Sequence, residues 1–262
     1  MQYVEIRREG RIAYVNFERP GPANALSLAL MRELTEAARQ FEDDHETSAV
    51  VLTGVGENFC LGFDLKDPAL GKLRDASLSE RRMAFQVGAR MCRAWEDIPA
   101  FTICAIEGWC VGGGVALAVS TDLRVASEAS MFYVPEVERG LNMSWGSVPR
   151  ITNLIGPARA KRLIILAEKW SAGRAVDLGL IDEATRAGEA LTTATALAER
   201  ACDVPPVALR MCKQGINSYA NALAHATTAH DHDQFTLAFD SEDAAEGIAA
   251  FVENRNPTFS GR

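Results

Sequence analysis

The sequence predicts a mixed α/β core, residues 1–190, that carries an all-helical C-terminal part, residues 191–262. Three observations carry this reading. Up to Gly188, short apolar runs of strand length alternate with amphipathic helical stretches, and beyond it only helical periodicity remains. The apolar run 101–106 passes into Gly112-Gly113-Gly114 and then into an Ala/Val/Leu-rich run, so a strand gives way to a buried helix on glycine. The composition, 48% hydrophobic and 24% charged, is that of an ordinary soluble domain and excludes a fibrous repeat or a disordered chain.

In chain order, residues 4–6 and 12–17 alternate apolar and polar around Gly10 as a hairpin does. Arg19-Pro20-Gly21-Pro22-Ala23 breaks regular structure, and Ser27 then reads as the N-cap of a helix over 27–42. Residues 49–53 form a continuous apolar run, hence a buried strand. The segment 67–79 mixes Pro, Gly and charges without period and reads as a surface loop, followed by a helix over 80–97 that Pro99 ends. After the glycine junction and a helix to about 120 come strands at 123–126 and 130–133. Helices at 147–155 and 157–166 are broken at Gly156-Pro157, a short helix covers 171–176, and a last strand covers 180–182. Four helices, 189–202, 206–219, 220–239 and 241–254, finish the chain.

Net charge is −8, which argues against nucleic acid or an anionic membrane surface as partner. The N-terminus lacks an apolar signal core and no run is long and uncharged enough to span a bilayer, so a cytoplasmic protein is expected. Six cysteines stand without C-x-x-C spacing, mostly in apolar surroundings, and read as reduced buried thiols. No metal site is expected: in His230-Asp231-His232-Asp233, residues two apart on a helix face different ways, and the run reads as a solvated face. There is no G-x-S-x-G elbow, and the serine of Asn142-Met143-Ser144-Trp145-Gly146 lacks that context.

The glycine junction points unpaired N–H groups at whatever precedes the helix, which suits an anion or an oxygen that becomes one. A second glycine-containing turn, Phe59-Cys60-Leu61-Gly62-Phe63-Asp64-Leu65, also follows a buried strand. Gly54-Val55-Gly56 lacks the third glycine of a dinucleotide fingerprint and no P-loop follows. Pro135-Glu136-Val137-Glu138 comes soon after two strands, where either Glu136 or Glu138 can serve as a base of raised pKa. Spacing alone leaves a surface turn of solvated acids equally open.

Together these pieces resemble the crotonase (enoyl-CoA hydratase/isomerase) superfamily along nearly the whole chain. The matching stretches are Asn24-Ala25-Leu26-Ser27, the segment from Gly54 to Leu65, Gly108-x-x-x-Gly112-Gly113-Gly114, Asp122-Leu123-Arg124, Pro135-Glu136, and Asp240-Ser241-Glu242-Asp243-x-x-Glu246-Gly247. The resemblance implies a crotonase-like ββα spiral, a helical C-terminal part that builds trimers, often paired as hexamers, and an acyl-CoA substrate with no cofactor beyond its CoA moiety. It implies that the N–H groups of Phe63 and Gly113 form an oxyanion hole for the thioester oxygen. CoA is expected near Ala23, Ala25, Leu26, Leu61, Gly62, Asp64, Leu65 and Gly112, with Arg19 and Lys66 as cations for its phosphates and Phe251 contributed by a neighbouring subunit. Trp109, Met143 and Trp145 are expected at the acyl pocket, where Met143 and Trp145 read as bulk that limits or shapes the tail, or as core.

The departures narrow the chemistry. Hydratases of the family hold one water between two glutamates, and the first of these positions is Ala116 here, while the second survives as Glu136. A single glutamate suffices for the family's isomerases, so the resemblance favours Δ3-Δ2 enoyl-CoA isomerisation. The alternatives are a hydratase or lyase in which Glu138 supplies the missing acid, and a non-catalytic acyl-CoA binder. Asn254 stands where relatives often carry a CoA-binding lysine, with Arg255 beside it as a replacement.

Overall fold

The hairpin that opens the chain also opens the main sheet of the computed structural model, which describes residues 1–21, 23–73 and 76–262. β1 (Val4–Glu9) and β2 (Ile12–Phe17) pair antiparallel, Gly10 taking φ 57° at the turn. α1 (Leu28–Arg39) then covers the sheet. Its N-cap Ser27 accepts from the N–H of Leu30 at 3.1 Å, and Leu30, Met31, Leu34 and Ala38 put one stripe into the core. β3 (Ala49–Gly54) lies parallel to β2. α2 (Pro68–Leu73) and α3 (Leu78–Glu96) lead to β4 (Phe101–Ile106), parallel to β3.

Next come β5 (Trp109–Val111), α4 (Gly113–Ala118), β6 (Leu123–Ser127) and β7 (Met131–Tyr133), then a 3₁₀ turn at Glu136–Arg139. α5 (Ser147–Ile164), β8 (Trp170–Ser171), α6 (Ala172–Leu178) and β9 (Glu183–Thr185) complete the sheets. The strand order is β1-β2-β3-β4-β6-β9, with β5-β7-β8 as a second, small sheet. α7 (Ala190–Cys202), α8 (Pro206–Ala220), α9 (Ala224–Thr228), α10 (Asp231–Phe239) and α11 (Glu242–Glu253) follow.

The two-residue period of a strand explains the layers. Val50, Leu52, Cys104 and Ile106 face the main core with α1, while Ala49, Val51, Ile103 and Ala105 face a second cluster. That second cluster is closed by Ala190, Ala194 and Ala198, one stripe of α7 whose small side chains let the helix lie close on the sheet. The predicted boundary between residues 190 and 191 thus falls at the start of a helix that packs on the sheet.

The predicted break at Gly156-Pro157 is a kink inside α5, where Gly156 takes φ 76° and ψ 161°. Other expectations need correction. The stretch 67–79 is not simply a loop: α2 occupies part of it and α3 already begins at Leu78, because Ser77 and Glu80 form a reciprocal capping box; its residues 74 and 75, like Pro22, lie outside the described residues. A three-residue strand, β5, intervenes before the glycine helix. The last strand lies at Glu183–Thr185 rather than 180–182, since Leu180 and Ile181 are drawn into the main core. The helix expected over 220–239 is split into α9 and α10. Among the described residues no helix is long and apolar enough to cross a membrane.

Candidate active site

Two turns meet at one end of the sheet. Cys60 is stitched to β5, its N–H donating to Trp109 O at 3.0 Å and its carbonyl accepting from Val111 N–H at 2.9 Å. Leu26 clamps the other side, donating to Gly62 O at 2.7 Å and accepting from the N–H of Asp64 at 3.1 Å. Between these bonds the N–H of Phe63 finds no acceptor among the described residues, and neither does that of Gly113, the first residue of α4. The turns touch: a Cβ on Gly62, whose φ is +85°, would stand 2.9 Å from Val111 O and 3.5 Å from Gly113 N. Glycine is required there for conformation and for room.

Glu136 sits opposite this junction. A Cβ on Gly112 would run into its Oε1, so the carboxyl lies directly against the glycine turn. Although the residue as a whole is only partly buried, Oε2 is closed off from solvent and has no hydrogen-bond partner among the described residues. Burial pushes the pKa up from 4.5 to about 7, with the backbone N–H of Glu136 itself and the Arg139 guanidinium pulling the other way. A group so placed accepts and returns protons near neutrality.

Both lie in a cavity of about 330 Å³ with mostly apolar walls. Its wall includes the predicted Ala25, Leu61, Gly62, Phe63, Asp64, Leu65, Lys66, Gly112, Gly113, Ala116, Glu136, Met143, Trp145 and Phe251. Ala116 is buried one turn into α4 and faces this space with a methyl group, so no acid reaches Glu136 from that position. Glu138 is not in the wall; it is exposed and accepts from the hydroxyl of Tyr133, so it does not replace the missing acid.

Besides Glu138, the predicted Arg19, Ala23, Leu26 and Trp109 lie outside the wall. Arg19 is not a free cation: it pairs with Asp64 at 2.8 Å and donates to Ala25 O at 2.9 Å, bracing the loop. Ala23 belongs to a tight turn at φ 46°. Leu26 is fully buried and holds the second turn from behind. Trp109 stands at the far end of β5, roughly 7 Å along the strand from Val111, and pairs with Met131. The chain's own Phe251 lines the wall, because α11 packs on the 136–140 turn. A Cβ on Gly247 would stand 2.5 Å from Arg139 C, and one on Gly140 2.6 Å from Asp243 C. The Phe251 ring lies 4.1 Å under the Arg139 guanidinium.

Arg255, expected as the replacement for a CoA-binding lysine, lies outside the cavity wall and pairs with Glu246 at 2.5 Å and Glu253 at 2.6 Å. Asn254 ends α11 at φ 53°, a conformation that asparagine tolerates better than lysine. Asp231 is not a solvated acid either; it accepts from the N–H of Gly146 at 2.8 Å.

Sequence reasoning missed Arg139, Asn142 and Phe235 in the wall. Arg139 was within reach of it, one short turn after Glu136. The Asn142 Oδ1 atom is buried without a hydrogen-bond partner among the described residues.

Residues 7–262 match the profile of the Enoyl-CoA hydratase/isomerase family. A short-chain-enoyl-CoA hydratase of Clostridium acetobutylicum is 31% identical over 253 residues, covering 96% of this chain and 95% of that protein. The 2,3-dehydroadipyl-CoA hydratase of Escherichia coli is 28% identical over 265 aligned positions, covering 100% of both. The crystal structure of carnitinyl-CoA hydratase from Mycobacterium avium superposes with a TM-score of 0.87 at 31% identity, again over 100% of both chains. The expected crotonase-type mixed α/β fold is therefore present, and the protein belongs to the enoyl-CoA hydratase/isomerase family.

Proposed function

We propose that this chain is a cytoplasmic acyl-CoA enzyme that shifts a double bond from C3 to C2 of an enoyl-CoA thioester, with Glu136 as its single proton carrier. The observation that carries the proposal is one unpaired, desolvated carboxyl in the cavity, facing an alanine where a second acid would stand. The thioester oxygen accepts from the N–H groups of Phe63 and Gly113, whose dipoles meet the negative charge as it develops. The ionised Glu136 takes a proton from C2, and the released electron pair delocalises over the carbonyl and the C3–C4 double bond as a dienolate. The protonated carboxyl then delivers the same proton to C4, leaving a C2–C3 double bond and a restored carboxylate. No water or second acid enters the balance.

A second reading is hydration with one carboxylate, which the names of the relatives favour for those proteins. Its support here is Asn142, which lines the same cavity and whose Oδ1, like Glu136 Oε2, is buried without a hydrogen-bond partner among the described residues, a deficit that an ordered water can fill.

Assaying 3-butenoyl-CoA conversion and crotonyl-CoA hydration side by side separates the readings. The expected result is isomerisation whose kcat/KM rises with pH to a plateau, with an inflection near 7 because the base must be ionised. Glu136→Gln is expected to lower it by about 10²-fold or more. Full activity in that variant overturns the assignment, and crotonyl-CoA hydration without isomerisation selects the second reading. Binding of CoA thioesters without turnover would make the chain a binding protein.

A further inference from the structure

We propose that the indole of Trp145 is the end wall of the acyl pocket and restricts this protein to compact, short-chain acyl-CoA thioesters. The inference rests on the proposal that Phe63 and Gly113 receive the thioester oxygen, and it adds the class of acyl group.

The indole is wedged where an extended acyl chain would have to pass. A Cβ on Gly113 would stand 2.6 Å from Cζ3 and 2.9 Å from Cη2 of the ring, and one on Gly88 of α3 would run into the ring at Cε2, Cδ2 and Cζ2. The Phe63 ring meets it edge to face, with centroids 6.0 Å apart at 89°. Phe63 and Gly113, whose N–H groups lack an acceptor among the described residues, therefore both have the indole as immediate neighbour. An acyl group with its carbonyl at those amides and its C2 beside Glu136 reaches the indole within a few carbons. Glycine at 88 and 113 leaves the room into which the ring fits; larger residues at either place would expel it.

The wall is also fixed. Trp145 takes φ 61°, a conformation unfavourable to a bulky residue, so the surroundings must impose it. Its carbonyl accepts from Arg150 at 3.0 Å, and Arg150 is held by the Glu96 carboxylate at 3.1 and 2.8 Å, with both side chains only 9% exposed. The next residue, Gly146, has φ 69° and donates to Asp231 of α10. These bonds fix the backbone from which the indole projects, and Gly88, Gly113 and Phe63 pack against the ring itself, so the ring serves as a wall rather than as a gate.

The test measures equilibrium binding rather than turnover, by titration calorimetry of butanoyl-, octanoyl- and hexadecanoyl-CoA, so a different chemistry at Glu136 leaves the answer readable. The wild type is expected to bind butanoyl-CoA at least about tenfold more tightly than hexadecanoyl-CoA, since a rigid wall excludes each surplus methylene. Trp145→Gly removes the ring and places at φ 61° the residue that adopts it freely, so the variant is expected to fold and to lose or reverse the preference. Trp145→Ala is expected to behave alike, with thermal unfolding reporting its integrity. Equal wild-type affinity for all three thioesters overturns the proposal. So does a Trp145→Gly variant that weakens all three alike, or release of the long chain by Phe235→Ala and not by Trp145→Gly.

Discussion

Glu136 holds a carboxyl whose Oε2 meets neither solvent nor a partner among the described residues, and ionising such a group costs folding free energy. Its pKa in the folded protein, about 7, lies above the ordinary 4.5. Between those values the folded chain binds more protons than the unfolded chain, so stability falls as pH rises through this window and levels off above it. The shift corresponds to roughly 3 kcal/mol. Glu136→Gln cannot ionise, and whatever its amide costs does not change with pH. The stability difference between variant and wild type is therefore expected to move in the variant's favour by up to roughly 3 kcal/mol from about pH 4.5 to about pH 8, measured by urea unfolding. A difference that stays constant over this range would mean that the carboxyl is solvated. Arg139 opposes the shift through its charge, and it lines the same cavity, so the turn supplies both the base and the cation that moderates it.

At the scale of elements, the base is only as well placed as the turn that carries it, and α11 holds that turn. Ser241 caps the helix by accepting from Ala244 N–H at 3.0 Å, and Gly247 lets its backbone reach Arg139. Gly247→Val is expected to push the helix off, costing about 1–3 kcal/mol in unfolding free energy and lowering kcat through a displaced Glu136; unchanged stability and kcat would show that the contact is slack. The stretch from Asp240 to Gly247 was legible in the sequence as a motif, and its content is a helix cap followed by a close approach. The two glycine turns were legible for the same reason: glycine after a strand leaves a local mark. Trp145 was legible as bulk near the pocket, but its seat was not, because Gly88, Gly113 and Phe63 come from distant parts of the chain. The three residues of β5 are too few to show a period. The place of Phe251 is not legible either, because no local pattern tells a helix that packs on its own turn from one that reaches across.

Across the whole molecule, α8 is the element least accounted for by a single chain. Lys213 pins it to the sheet end, pairing with Asp122 at 2.7 Å and donating to Ala100 O at 2.8 Å. Val207, Met211, Ile216 and Tyr219 on the same helix are each at least 66% exposed, an apolar surface that water disfavours. A second copy of the chain is the occupant that the family resemblance implies, as a trimer or a pair of trimers. Sedimentation of the wild type is then expected to give a trimer or hexamer, and Ile216→Glu with Tyr219→Glu a monomer, because a charge on a buried apolar interface is strongly unfavourable. The cavity wall, Phe251 included, is drawn from one chain, and neither substituted residue lies in it. The dissociated variant should therefore still bind butanoyl-CoA. If it binds nothing while remaining folded, the pocket is completed by a neighbour and the position of α11 over its own turn is not the one that meets substrate. A wild type that sediments as a monomer would instead leave the exposed face of α8 to some other partner.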